Sequence, residues 1–391
     1  MFSAILVPPH LSAHARGLFY GQAARAQTLH SRSTYARLFA SCGISWANAC
    51  DRAMAYREVI AQLDPSLLQE MAGTAEGSGL TLAEILALNC RTEILPPSFL
   101  SDATHEAQAA LQANRDAGLP DWLEDAPIDP AAAEGECTAM AVAPSASRQG
   151  DTWLAQNWDW LGRQREALVL LHTRNEAGQH FTTLTEGGML AKIGMNQQGF
   201  ALGLNILRST EDGLRPGVPV HVLLRHLLGC ASLAAARTEL ARLSQTLGFG
   251  AASNIPCADA AGDVACFEVA PQGWGEVQPD QGVVVHTNHF VCASLLSAQA
   301  PLGLALSSHP RLVTAGQHAA QSDIDQAALE HFLRDETDGH LSICRSPDMA
   351  LPAAGRVESV AGVIMNTSTR QLWIAPDVPK RCAFEQVALP H

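Results

Sequence analysis

The chain has 391 residues, 47% of them apolar and 16% charged, a composition that supports a large buried core and excludes a disordered protein or a small disulfide-stapled scaffold. Acidic residues outnumber basic ones 39 to 25, for a formal charge of −14. The mean field of such a protein repels a phosphate backbone or an anionic bilayer, so neither nucleic acid nor a membrane is expected as partner.

The opening stretch, MFSAILVPPH, has its short apolar run broken by two prolines, and no run of eighteen apolar residues follows anywhere. Neither a signal peptide nor a membrane span is expected. The first hundred residues read as helical, with apolar steps of three and four over Ser33–Ala40, Trp46–Leu63, Ser66–Ala75 and Leu82–Ile94. Asp64-Pro65 and Gly77-Ser78-Gly79 punctuate them, and Thr81 with Glu84 predicts a capping box. From Ser101 to Glu136 the character turns acidic, with Arg115 as the single base, and the stretch reads as a linker or flap. Beyond it come paired apolar runs: CTAMAVAP with TWLAQNWDW, ALVLLHTR with HFTTLTEG, and MLAKIGM with FALGLNIL. A helical region follows from Val218 to Leu243, then SNIPCA with DVACFEVA, a helix over Asp325–Arg334, and SVAGVIMN with RQLWIAP. Several of these runs barely alternate, which predicts sheets covered on both faces. The expected fold class is α+β, with helices outside two stacked antiparallel sheets. Its parts are a helical segment 1–100, an acidic linker 101–136 and a β-rich segment 137–391.

Ten cysteines without a CxxC pair or regular spacing read as reduced thiols of a cytoplasmic protein. There is no GxGxxG after a strand, no GxxxxGK[ST], no HExxH and no GxSxG, so no cofactor is expected and the usual hydrolase signatures are missing. His286, His289 and Cys292 could be offered as metal ligands, but three-residue steps on a strand point to opposite faces, and no metal is expected.

Cys137 stands out by position, where the acidic segment meets the first strand of the β-rich part. If the bond from Glu136 to Cys137 were cut, the new α-amine would have a pKa of about 8, low enough to serve as base for its own thiol. The hairpin that starts at Cys137 returns through Gln156-Asn157-Trp158-Asp159-Trp160, so Asp159 can reach the region of Cys137 and orient that amine. Asn254, at the head of a later strand, offers an uncharged amide donor suited to an oxyanion. Turn-forming and strand-terminating roles for Asn157, Asp159 and Asn254 are the plainer alternatives.

Taken in order, GECTAMAVAP, AQNWDW, GGMLAKIGMNQQGFALGLN, ASNIPCADAAGDVACFEVAP and HTNHF, preceded by the helical ILALNCRTEI, resemble the successive blocks of the acyl-coenzyme A:6-aminopenicillanic acid acyltransferase family, the C45 peptidases among N-terminal nucleophile hydrolases. The resemblance spans roughly residues 85 to 290. It implies a four-layer αββα fold made as an inactive precursor, which cuts itself between Glu136 and Cys137 into fragments 1–136 and 137–391 that stay associated as each other's partner. It implies Cys137 as nucleophile and base, Asp159 as the catalytic aspartate and Asn254 as the oxyanion support. Glu136 departs from the glycine that precedes the nucleophile in the family's best-known member. A functional serine of the family falls on Ser307 or Ser308, and the sequence does not choose between them.

The resulting expectation is an enzyme that cleaves a linear amide of a small acylated amine or amino acid through a thioester on Cys137. Hydrolysis is the default outcome, with acyl transfer to a second amine, from acyl-coenzyme A among other donors, as the alternative. Thr138, Trp158, His289 and Phe290 are candidates to contact the substrate, with Trp160 and Met189 as further apolar lining. Two other readings stay open, a scaffold of the same fold without chemistry and an enzyme that uses His289 as a separate base; oligomeric state is also open.

Overall fold

The structure, a computed structural model, describes residues 3–96, 104–119, 137–301, 307–351 and 355–388. The N-terminal part is a short strand, β1 (Ser3–Leu6), followed by α1 (Ala13–Ala23), α2 (Arg25–Ser41), α3 (Trp46–Met54), α4 (Arg57–Leu63), α5 (Pro65–Ser78), α6 (Leu82–Asn89), α7 (Arg91–Ile94) and α8 (Thr104–Asp116). The predicted punctuation is present. Asp64 caps α5 ahead of Pro65, Gly79 ends it in the left-handed region at φ 75°, and Thr81 and Glu84 form the reciprocal capping box of α6. Two expected helices are divided: the run Trp46–Leu63 breaks at Ala55 and Tyr56, and the run Leu82–Ile94 breaks at Cys90.

The stretch read as a linker from Ser101 begins instead with a helix. α8 docks through Asn114, whose side chain accepts from the Trp46 backbone N–H and donates to the Ala36 carbonyl. Alanine-rich sequence with i,i+4 support outweighs the acidic composition there. The remainder of that stretch, and with it Glu136 and the boundary at 136, lies outside the described residues.

The β-rich part runs β2 (Cys137–Val142), β3 (Trp153–Leu161), β4 (Leu168–Arg174), β5 (His180–Glu186), β6 (Ile193–Asn196), β7 (Ala201–Leu202), β8 (Asn205–Ile206), α9 (Val220–Leu227), α10 (Leu233–Thr246), β9 (Ser253–Ala258), β10 (Val264–Ala270), β11 (Gly273–Val277) and β12 (Val283–His286). It closes with α11 (Ser308–Ala319), α12 (Gln326–Leu333), β13 (Val357–Asn366), β14 (Gln371–Ala375) and β15 (Glu385–Val387). All five expected hairpins form. The run FALGLNIL differs in detail. It splits into β7 and β8 at Gly203-Leu204, where Gln156 replaces the ladder by accepting from the Leu204 N–H.

Two sheets result. One has the order β1-β4-β5-β6-β7-β9-β10-β11, with β8 beside β9; the other has the order β12-β2-β3-β13-β14-β15. They stack face to face, β2 and β3 against β8, β9 and β10. The helices α2 and α10 cover the outside of the first sheet, and α11 and α12 cover the second. This is the four-layer αββα arrangement the sequence implied. Every residue of β2, β3, β9, β10 and β13 is buried, which explains why their sequences are apolar nearly throughout. Between α1 and α5 the backbones meet directly: a Cβ at Gly17 would lie 1.8 Å from the Glu70 carbonyl oxygen, and one at Gly73 would lie 2.0 Å from that of His14.

Candidate active site

Cys137 is the first residue of β2 and pairs with Trp158 across the β2–β3 ladder. Strand alternation therefore sends the thiol to the inner side of the sandwich with Trp158 and Trp160, while Thr138 and Asp159 turn toward α11. The thiol, Trp158 to Trp160, Arg91, Lys192, Ile193, Leu204 and Ile206 enclose a cavity of about 10 Å³, room for about one water molecule. A substrate amide does not fit until this space opens.

The main chain at Cys137 is fixed on both sides of its Cα. Its backbone N–H donates to Asn288 Oδ1 at 2.8 Å, and its carbonyl accepts from Arg311 Nη1 at 2.7 Å. Arg311, fully buried on α11, also donates to Thr138 Oγ1 at 2.7 Å and to Asn288 Oδ1 at 2.9 Å, while its Nε reaches Ser307 Oγ. Asn288 is oriented in turn: its N–H donates to Ser308 Oγ at 2.9 Å and its side-chain amide donates to the Ile206 carbonyl. The two serines thus divide the work, Ser308 under Asn288 and Ser307 under Arg311. Charge-assisted bonds in a site shielded from water hold these groups more firmly than neutral ones would.

Asp159 sits beside this cluster. Its Oδ1 accepts from Ser359 Oγ at 2.6 Å, and its buried Oδ2 has no hydrogen-bond partner. Ser359 is presented by β13 next to a bulge, where the register against β3 shifts between Ser359 and Ala361. Burial raises the Asp159 carboxyl to about 7, against the lowering effects of Arg311 and Ser359. Burial and the nearby Asp159 push the Cys137 thiol up to about 11, opposed by the Asp159 backbone N–H, Lys192 and Arg311. In the continuous chain the sulfur is therefore held as a thiol, and an added base is needed to make it a nucleophile.

The other residues expected at the site fall differently. Asn254, on β9, faces β2 across the sandwich; its Oδ1 accepts from Asn205 Nδ2 at 2.9 Å, and its side chain also bonds the Cys266 sulfur and makes a long 3.5 Å contact to the Phe267 carbonyl. Trp158 lines the cavity, whereas Thr138 is bound to Arg311 on the opposite face. His289 bonds Ser308 Oγ through Nδ1 at 2.7 Å and packs on His309 at 3.9 Å. Burial and His309 hold its ring down at about 4, so it is a neutral side chain engaged with the serine. Phe290 packs with Leu207, Ala252, Ala270, Leu295 and Ala298 in a satellite core, and Met189 belongs to the main core. Asn157 donates to the Leu333 and Ile343 carbonyls and is structural. His286 pairs with Glu268 at 2.8 Å and Cys292 lies on the following loop, whose Val291 and Cys292 N–H groups Glu268 also accepts.

Sequence reasoning passed over Asn288, Arg311, Arg91 and Lys192. Each lies inside or beside a stretch that had drawn notice: HTNHF, SSHPRL, ILALNCRTEI and MLAKIGM. A lone cation in an apolar run was the available signal for Arg91 and Lys192.

Two stacked sheets, antiparallel except where β1 pairs with β4, with helices on their outer faces and a buried cysteine at the start of β2, define an α+β protein. The chain belongs to the acyl-coenzyme A:6-aminopenicillanic acid acyl-transferase family, whose sequence profile matches residues 146–375. It is similar to the acyl-coenzyme A:6-aminopenicillanic-acid-acyltransferase 40 kDa form of Emericella nidulans, 29% identical over 294 residues that cover 74% of this chain and 70% of that one. Among solved structures it resembles penicillin V acylase from Agrobacterium tumefaciens, with TM-score 0.33, 12% identity and coverage of 61% of this chain and 83% of that chain. It also resembles the conjugated bile acid hydrolase of Clostridium perfringens, with TM-score 0.35, 9% identity and coverage of 64% and 97%. No helix among the described residues is long and apolar enough to cross a membrane.

Proposed function

We propose that this protein is a self-processing N-terminal cysteine enzyme that takes the acyl group of a small linear amide onto Cys137. The observation that carries the reading is the fixation of Cys137 by Asn288 and Arg311 at the start of β2, beside Asp159 with its unpartnered oxygen. Processing would begin with attack of the Cys137 sulfur on the Glu136 carbonyl. The peptide C–N bond breaks as the C–S bond forms, and water hydrolyses the thioester to leave a carboxylate on Glu136 and an amine on Cys137. That amine inherits the Asn288 acceptor, and with a pKa of about 8 it is the base the thiol needs.

In the mature protein the amine takes the thiol proton and the thiolate attacks the substrate carbonyl. Asn254, through its side-chain amide, and backbone N–H groups stabilise the oxyanion. The Cys137 ammonium protonates the departing amine, and the thioester remains on Cys137. Water then releases the acid, or an acceptor amine takes the acyl group. Hydrolysis needs no second binding pocket. Transfer is the second reading, favoured by the family and by the name of the Emericella relative, in which the donor would be acyl-coenzyme A.

Intact-mass measurement tests the first step. Wild-type protein should resolve into fragments 1–136 and 137–391, and Cys137→Ala should stay whole and release no amine from any of a panel of acyl amides. A single unbroken chain with turnover would refute the mechanism; a single unbroken chain without turnover would leave a scaffold.

A further inference from the structure

Two buried basic side chains, Arg91 and Lys192, line the cavity beside Cys137. Arg91 is 2% exposed, and among the described residues its guanidinium is held only by the faces of Trp160, at 4.7 Å, and Tyr35, at 5.1 Å. Its Nε has no hydrogen-bond partner. Lys192, 2% exposed, stands over the Trp158 ring at 3.7 Å, one ladder position from the nucleophile. Two buried carboxylates share the field of Arg91 without bonding it: Glu93, whose Oε1 accepts from the Val220 N–H, and Glu186, which is already taken. Its Oε1 accepts from Tyr35 at 2.7 Å and from Gln164 at 2.8 Å, and its Oε2 accepts from Lys192 at 2.7 Å. Arg91 feels its field without a bond. His221 gives no relief, because burial and the fields of Arg91 and Lys192 keep its ring neutral.

A guanidinium removed from water without an acceptor is costly, and a carboxylate is the acceptor whose two oxygens match its fork. We propose that Arg91, supported by Lys192, is the docking point for a carboxylate on the substrate, so that the enzyme selects carboxylate-bearing amides of the N-acyl amino acid kind over their neutral analogues. Both cations line the same cavity as the thiol, which places the recognised group within a few bonds of the reacting carbonyl. Arg91 is carried by α7, so this selectivity would be supplied by the helical segment rather than by the sheets. The inference rests on Cys137 being the nucleophile of the processed protein.

Alkylation of Cys137 tests it without knowledge of the natural substrate. The rate ratio of anionic iodoacetate to neutral iodoacetamide, followed by peptide mass spectrometry, should exceed that of free cysteine by at least about tenfold, the worth of one charge-assisted bond. In Arg91→Gln the ratio should fall to the free-cysteine value, and in Lys192→Met it should fall part of the way. A second arm needs no variant: N-acetylglycine should protect Cys137 of the wild-type protein from iodoacetamide, and N-acetylglycinamide should not. A wild-type ratio equal to that of free cysteine, or equal protection by the two ligands, overturns the carboxylate assignment while the nucleophile stands. Failure of both reagents to label Cys137 in the processed protein overturns the nucleophile and this inference together.

Discussion

The contact of α1 with α5 and the setting of Cys137 are both intimate, and they are made by opposite means. The helices touch because side chains are missing: Gly17 and Gly21 face α5, Gly73 and Gly77 face α1, and a Cβ at any of the four would meet backbone within 2.4 Å. Cys137 is held because groups are present, with Asn288 on its N–H, Arg311 on its carbonyl and Ser308 behind Asn288. The first contact fails when an atom is added, the second when a donor is removed. Damage to the helix pair should register in folding alone, whereas damage to the frame around Cys137 should register in the proposed chemistry while the sandwich persists.

Arg311→Met gives the largest separation of the two. Its loss frees the Cys137 carbonyl, leaves Thr138 and Asn288 each short of a donor, and removes the cation that lowers the Asp159 carboxyl. Breaking such a buried cluster costs about 3 to 5 kcal/mol. Self-cleavage timed by intact mass should slow by about a hundredfold or more, and processing at the wild-type rate would show that Arg311 plays no positioning part. Arg311→Lys restores charge without the fork and should recover only part of the rate.

Gly73→Ala is the counterpart. The new methyl has no room at 2.0 Å from the His14 carbonyl, so α1 and α5 must separate; overpacking of this kind costs about 1 to 3 kcal/mol, partly offset by about 1 kcal/mol from the better helix former. The denaturation midpoint should drop, while cleavage per folded molecule stays at the wild-type rate. Slower cleavage in the folded fraction would mean that the helix pair bears on the site.

The helical segment, the five hairpins and the layered sheets were legible because their signals are local: apolar period, capping residues and turn residues. Cys137 and Asp159 were legible as members of one hairpin, since a two-strand unit fixes its own register. Asn288 and Arg311 were not, because their partnership with Cys137 joins positions 151 and 174 residues away, and nothing in either local sequence distinguishes a buried, fully bonded side chain from a solvated one. The place of Phe290 in a satellite core was hidden for a related reason: an aromatic next to a polar loop reads the same whether it lines a cavity or plugs a core. The helical character of residues 104–116 was hidden by acidic residues that lie on the exposed side of α8.

Glu93 sits where the helical segment meets the sandwich's own helices, and its smaller effect tests whether the two regions are coupled. Its Oε1 accepts from the Val220 N–H at the start of α9, and its Oε2 is buried without a partner. Burial raises its carboxyl to about 7, against the lowering influence of the Val220 bond, with Asp212 adding to the rise. In the unfolded chain the same group titrates near its ordinary value of about 4.3. Between these two values the folded state binds the extra proton, so its contribution to stability is present at low pH and is lost as pH climbs toward 7. Glu93→Gln removes that slope. Relative to wild type it should gain about 3 kcal/mol between pH 4 and pH 8 in urea unfolding, whatever its offset at pH 4. Asp159, raised to about 7 by burial, keeps its own slope in both proteins and cancels from the difference. A difference independent of pH would mean that Glu93 ionises in the folded protein as it does in water, and that the junction carries no stored proton.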